Sequence, residues 1–142
     1  MRRYLVVANQ TLGGESLSEK VRASVASEPC RFHILVPATP PQEHLTFTEG
    51  EANAIAQKRL DMALAQFREL GADVDGEVGV ANPLHAIEDV FMREQFDEII
   101  LSTLPSGLSR WLKLDLPSRV ADKFGLPVTH LVAERELAPS AG

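Results

Sequence analysis

Five short apolar runs punctuate the chain, and amphipathic stretches separate them. Tyr4 to Ala8 (YLVVA) is continuously apolar and β-branched, so it predicts a strand buried on both faces. Asn9-Gln10-Thr11 and Gly13-Gly14 end it. Leu17, Val21 and Val25 then recur every four residues, which predicts a helix over 16–27, opened by a capping box of Ser16 and Glu19 and ended by Pro29. Arg31 to Val36 (RFHILV) predicts the second strand, and Pro37, Pro40 and Pro41 stiffen the loop behind it. Thr48 and Glu51 form a second capping box. The longest helix follows, with Ala52, Ile55, Ala56, Leu60, Ala63, Leu64, Phe67 and Leu70 at helical spacing and Gly71 at its C-terminal end.

Val74 to Val80 alternates apolar and polar positions, the pattern of a more exposed strand. Asn82-Pro83 opens a third helix, with Leu84, Ile87, Val90 and Phe91 on one face. Glu98 to Leu101 begins a fourth strand. Asp115, followed by Pro117, marks the start of a fourth helix as its N-cap, and Gly125 closes that helix. Leu126 to Ala133 predicts the last strand. Residues 1–133 therefore read as one domain, and Glu134 to Gly142, which lacks an apolar period, as a mobile C-terminal tail. Regular β-α alternation predicts an α/β fold: a single doubly wound, five-stranded parallel sheet with helices on both faces. In strand order 3-2-1-4-5, ligands sit where that order reverses, between the loops after strands one and four, here Asn9–Gly14 and Ser102–Asp115.

Composition narrows the function classes. The chain has 142 residues, 44% of them hydrophobic and 24% charged, the profile of a globular domain. Its net charge of −6 argues against nucleic-acid binding, which needs a basic footprint. The single cysteine, Cys30, excludes an internal disulfide and a cysteine-built metal site. Behind Met1-Arg2-Arg3 the apolar run is too short for a signal peptide or a membrane span, so the expected location is the cytoplasm. None of His33, His44, His85 and His130 pairs with another at metal-ligand spacing, and His33 and His130 read as ordinary sheet residues. Asp73-Val74-Asp75-Gly76 lacks the later ligands of a calcium loop and reads as a turn. There is no Gly-x-Ser-x-Gly elbow and no Gly-x4-Gly-Lys phosphate loop.

Three local stretches, YLVVANQT (Tyr4 to Thr11), GLSRWL (Gly107 to Leu112) and FGLPVTHLV (Phe124 to Val132), resemble segments of the universal stress proteins. The resemblance extends from Tyr4 to about Val132. ATP-binding members of that family carry Gly, two residues, Gly, nine residues, Gly, then Ser or Thr. Anchored on Gly107-Leu108-Ser109-Arg110, those positions fall here at Leu101, Leu104, Leu114 and Asp115, and none matches. Shifting the frame to Leu104, Gly107, Pro117 and Ser118 recovers only one glycine and the serine. The family's adenine-contacting aspartate aligns with Asn9. Leucines at those positions would fill the space that glycines leave for a phosphate. A carboxylate of Asp115 capping the fourth helix would also occupy the anion position there, setting a like charge roughly 4 Å from a phosphate at a cost of about 1 kcal/mol in water.

The expected function is a universal-stress-protein-like cytoplasmic binding or regulatory module that lacks the family's usual ATP binding and requires no cofactor. The alternative is a nucleotide- or anion-binding protein, for ATP or AMP, with a rebuilt loop after strand four and slow ATP hydrolysis. The candidate ligand-binding residues are Asn9, Ser102, Thr103, Ser106, Gly107, Ser109, Arg110 and Ser118. Between Leu101 and Lys123 four basic residues (Arg110, Lys113, Arg119, Lys123) stand against Asp115 and Asp122, so this segment is positive on an acidic chain. It fits either an anion contacted by Arg110 and the Ser106–Gly107 backbone or a solvated basic face. Trp111, with Leu108, Leu112 and Leu114, fits either a partner surface or core packing. The last strand, Val128 to Val132, is apolar and lies at a sheet edge in this order, which predicts a homodimer paired through it. The resemblance implies the same pairing.

Overall fold

Tyr4, Leu5, Val6 and Val7 are all buried, so the strand that carries them must have neighbours on both edges and helices on both faces. In the computed structural model this strand, β1 (Arg2–Val7), is the middle one of five. The structure describes residues 1–40, 48–105 and 108–133, and of Arg110 the backbone only. His44, Ser106, Gly107 and the 134–142 tail lie outside the described residues. After β1 come α1 (Glu15–Ser27), β2 (Cys30–Pro37), α2 (Glu49–Glu69), β3 (Asp73–Gly79), α3 (Pro83–Phe91), β4 (Glu98–Thr103), α4 (Arg110–Lys113), α5 (Leu116–Phe124) and β5 (Val128–Val132). All four strand pairings are parallel, in the order β3-β2-β1-β4-β5. The doubly wound α/β sheet expected from the alternation is the one observed.

The pleat sends alternate residues to two separate cores. Tyr4, Val6 and Ala8 of the first strand and its exit meet Phe32, Ile34 and Val36 of β2 under α1 and α2. Their neighbours Leu5 and Val7 face the other way, with Leu35, Ile99 and Leu101, under α3, α4 and α5. Tyr4 stacks on Phe32 at 5.1 Å between ring centroids, and Phe67 of α2 meets Phe32 edge-on at 5.9 Å. Fully burying such aromatic side chains contributes about 1.5–3 kcal/mol each.

Helix starts separate by mechanism. Thr48 caps α2: its side chain accepts from the Glu51 amide at 3.0 Å and Glu51 reaches back to the Thr48 amide, a complete capping box. Asn82 accepts from the amides of Leu84 and His85 to start α3. Ser16 does not cap α1. The N-cap is Gly14, with no side-chain cap bond, and Ser16 lies inside the helix. Asp115 holds the N-cap position of α5, but at φ 55° and ψ 41° its carboxylate makes no capping bond. That left-handed residue is needed because α4, which the sequence pattern leaves as loop, ends at Lys113 and the chain must turn sharply into α5.

Candidate functional site

Loops at the carboxyl ends of β1, β2 and β4 leave an open crevice of about 430 Å³, part of it continuous with solvent. It lies where the strand order reverses, between the exits of β1 and β4. Its polar lining comes from Asn9, Gln10 and Thr11 after β1, Thr39 after β2, Ser102 and Thr103 at the end of β4, and Ser109 at the start of α4. Pro40, Leu104, Leu108 and Trp111 supply the apolar part. Among the described residues no charged side chain lines it.

The polar groups are fixed before any ligand arrives. The Thr11 and Ser102 hydroxyls lie 2.6 Å apart and tie the two loops together. The Thr103 hydroxyl donates to the Leu104 carbonyl at 2.9 Å, leaving its oxygen to accept from His130 Nε2, also at 2.9 Å. Burial pushes the His130 pKa below its ordinary value, which favours the neutral ring. Ser109 accepts from the Leu112 amide and so caps α4. Asn9 donates to the Pro37 carbonyl at 2.8 Å and accepts from Arg59 Nη1 at 2.5 Å. Arg59 stands behind Asn9 on α2. Burial, with no opposing contribution, lowers its pKa from the ordinary guanidinium value.

The structure brings together four of the eight residues singled out from sequence: Asn9, Ser102, Thr103 and Ser109 all line the crevice. Ser118 is exposed in the first turn of α5 and does not line it. Ser106, Gly107 and the Arg110 side chain lie outside the described residues. The three leucines expected to fill the phosphate space part company. Leu101 is fully buried in the core beneath α3 and α5, Leu104 is a crevice wall, and Leu114 is 54% exposed to solvent. Asp115 is exposed and not a lining residue, so its carboxylate does not occupy an anion position in the crevice. The Trp111 cluster divides as well. Trp111 is buried, its indole N–H 3.4 Å from Thr39 Oγ1, while Leu108 is 59% exposed at the lip. Thr11, Thr39 and Arg59 were missed. Thr11 lies in the loop the strand order points to, Thr39 lies in the loop after β2, and Arg59 does not line the crevice but bonds Asn9 from α2, whose periodicity records only which face is buried.

A second polar cluster was also invisible in the sequence. His33 of β2 has Nδ1 2.7 Å from Asp75 and Nε2 2.8 Å from Glu77, with Glu94 at 4.0 Å. The β2–β3 register, which sets His33 beside Asp75, creates it. His33, Glu77 and Glu94 have donors a divalent cation uses. Both carboxylates are already engaged, however. Arg93 holds both oxygens of Glu77 at 2.7 and 2.8 Å, and Arg3 holds Glu94 at 2.7 Å. Burial alone would raise the Glu77 carboxyl, but the hydrogen bonds from Arg93 and His33 outweigh it and hold its pKa low. The cluster is an ion-pair network joining β2, β3 and the segment after α3.

Among the described residues the crevice is open, hydroxyl-lined and free of charged side chains, and it lies at the switch point of a doubly wound parallel sheet. Three solved structures make the architecture more specific. A universal stress protein from Archaeoglobus fulgidus is similar at 16% identity and a TM-score of 0.62, covering 92% of this chain and 93% of that one. The universal stress protein from the same organism in complex with dAMP is similar at 15% identity and a TM-score of 0.61, covering 92% and 97%. A universal stress protein in complex with cAMP is similar at 17% identity and a TM-score of 0.64, covering 94% and 98%. The chain has the universal stress protein fold. No family model and no curated protein matches its sequence. Among the described residues no helix is long and apolar enough to cross a membrane.

Proposed function

We propose that the protein is a non-catalytic regulatory module that binds a small ligand of the nucleoside monophosphate class in the crevice, without the family's usual grip on ATP. The observation that carries this reading is the fate of the leucines. Leu101 is withdrawn into the core and Leu114 is turned to solvent, so the crevice stays open with a polar floor. An open polar crevice at the switch point is where doubly wound folds take small ligands. The nucleotides held by two of the similar structures, dAMP and cAMP, support the same ligand class. The triphosphate grip fails for a different reason: the three glycine positions carry Leu101, Leu104 and Leu114, so the bare backbone that cradles a phosphate chain is missing, and Leu104 stands in the crevice wall. The protein acts in the cytoplasm as a homodimer paired through Val128–Val132.

Calorimetric titration of nucleotide-stripped protein with AMP and with ATP, Mg²⁺ present, tests the reading. The expected result is AMP binding with a Kd in the micromolar range, about −8 kcal/mol, and no tighter binding of ATP. No heat with either ligand at millimolar concentration overturns it. ATP binding much tighter than AMP binding, with hydrolysis, would move the protein to the ATP-handling alternative.

A further inference from the structure

An indole N–H can only donate, so a buried one is normally met by an acceptor at about 2.9–3.0 Å. Trp111 is the only tryptophan of the chain and is 6% exposed. It belongs to the same core as Leu35, Ile87 and Leu116, and it also lines the crevice. Its Nε1 meets Oγ1 of Thr39, another lining residue, at 3.4 Å, which is a long and weak contact for this pair. Each partner is held where it is. The Thr39 hydroxyl gives its own hydrogen to the Ala81 carbonyl at 2.5 Å, and Trp111 is fixed by packing. The contact therefore leaves the indole hydrogen underused at the crevice surface, open to a better-placed acceptor.

The surroundings of this N–H select what would meet it. The apolar lining of the crevice consists of Trp111, Pro40, Leu104 and Leu108, and Pro40 directly follows Thr39. An aromatic wall carrying a single neutral donor is matched to a flat ring with apolar faces and an acceptor in its edge. A phosphoryl group is instead matched to several donors, preferably cationic.

Resting on the reading of the crevice as a nucleoside monophosphate site, we propose that Trp111 reads the base of the ligand: its Nε1–H leaves Thr39 and donates to a ring nitrogen of the bound heterocycle. Trp111 is then a specificity-determining residue, and a base without an acceptor at that edge binds more weakly.

The test is calorimetry with AMP and with its 1-deaza, 3-deaza and 7-deaza analogues, each of which lacks one ring acceptor. It is run on the intact protein and on Trp111→Phe, which keeps an aromatic ring and loses the N–H. One analogue is expected to bind wild type about three- to tenfold more weakly than AMP, the worth of one hydrogen bond. On Trp111→Phe, AMP itself is expected to weaken by that factor or more, and the analogue to lose its penalty, the non-additivity of two changes that remove one contact. Equal binding of all four compounds by wild type, or a penalty that persists in the variant, overturns the assignment to Trp111 and leaves the crevice as a nucleotide site read by other groups. Should the variant fail to fold, wild-type fluorescence decides, since Trp111 is the sole tryptophan. Saturating AMP is expected to change its emission and the weakened analogue to change it less; emission that saturating AMP leaves unmoved overturns the assignment. If AMP gives no heat with wild type, the proposed function falls and this inference with it.

Discussion

Glu98 shows how one residue carries a measurable pH signature. It is buried at the start of β4, where Thr129 donates to it at 2.6 Å and Arg2 at 2.8 Å, with Lys20 at 3.5 Å. Burial alone would raise its carboxyl, but these partners outweigh burial and hold the pKa below the ordinary carboxylate value. A carboxyl whose folded pKa lies below its unfolded one contributes stability above the unfolded value, and loses it as pH falls through the folded value. Glu98→Gln is therefore expected to cost about 1–3 kcal/mol at neutral pH, and progressively less as acid protonates the wild-type carboxylate, below the ordinary carboxylate range. Urea unfolding of both proteins across that window checks this; a penalty that does not shrink on acidification contradicts it. None of these partners was legible from sequence, because Arg2, Glu98 and Thr129 are distant in the chain and only strand pairing brings them together. Arg59 was hidden for a related reason. Helical periodicity identifies Ala56 and Leu60 as inward, but not where a long polar side chain flanking that stripe will reach.

At the scale of elements, strand and helix identities were readable because each carries a strong period or a fully apolar run. Helix starts were read less well, since a cap depends on one backbone turn. Ser16-x-x-Glu19 and Thr48-x-x-Glu51 present the same letters, and only the second forms the box. The turn closed by the Gly14 amide onto the carbonyl of buried Thr11 puts the N-cap of α1 at Gly14, two residues before Ser16. Thr48→Ala is accordingly expected to cost about 1 kcal/mol, whereas Ser16→Ala is expected to lie within about 0.5 kcal/mol of wild type. Chemical denaturation of the two variants distinguishes them; equal losses would mean that α1 also depends on its serine. The short α4 escaped the sequence reading because its four residues are too few to show a period. Its presence turns Trp111 inward and leaves Asp115 in a left-handed turn, which is why the anion argument built on Asp115 did not survive.

For the molecule as a whole, β5 closes one side of the sheet and its outer edge is unpaired among the described residues. Alternate residues address β4, as the bonds of Pro127 and Ala133 to Ile99 and Thr103 show, so 128, 130 and 132 present their backbone outward. An apolar edge of this kind is a template for a second copy. The protein is expected to run as a dimer by light scattering at micromolar concentration. Val132→Pro, which removes one outward N–H without touching a bond to β4, is expected to shift it toward monomer. A monomeric wild type would refute the edge-pairing model. The crevice has a different reach. The hydrogen bond between Thr11 and Ser102 joins residues 91 positions apart, and its other walls come from after β2 and from α4. Such a site does not exist in the unfolded chain, so any true ligand must favour the native state by mass action, by about 2.7 kcal/mol at a hundredfold excess over Kd. For a chain of this length that moves the melting midpoint by several degrees. Thermal unfolding is thus a census of everything the crevice accepts, open to compounds nobody has thought to propose.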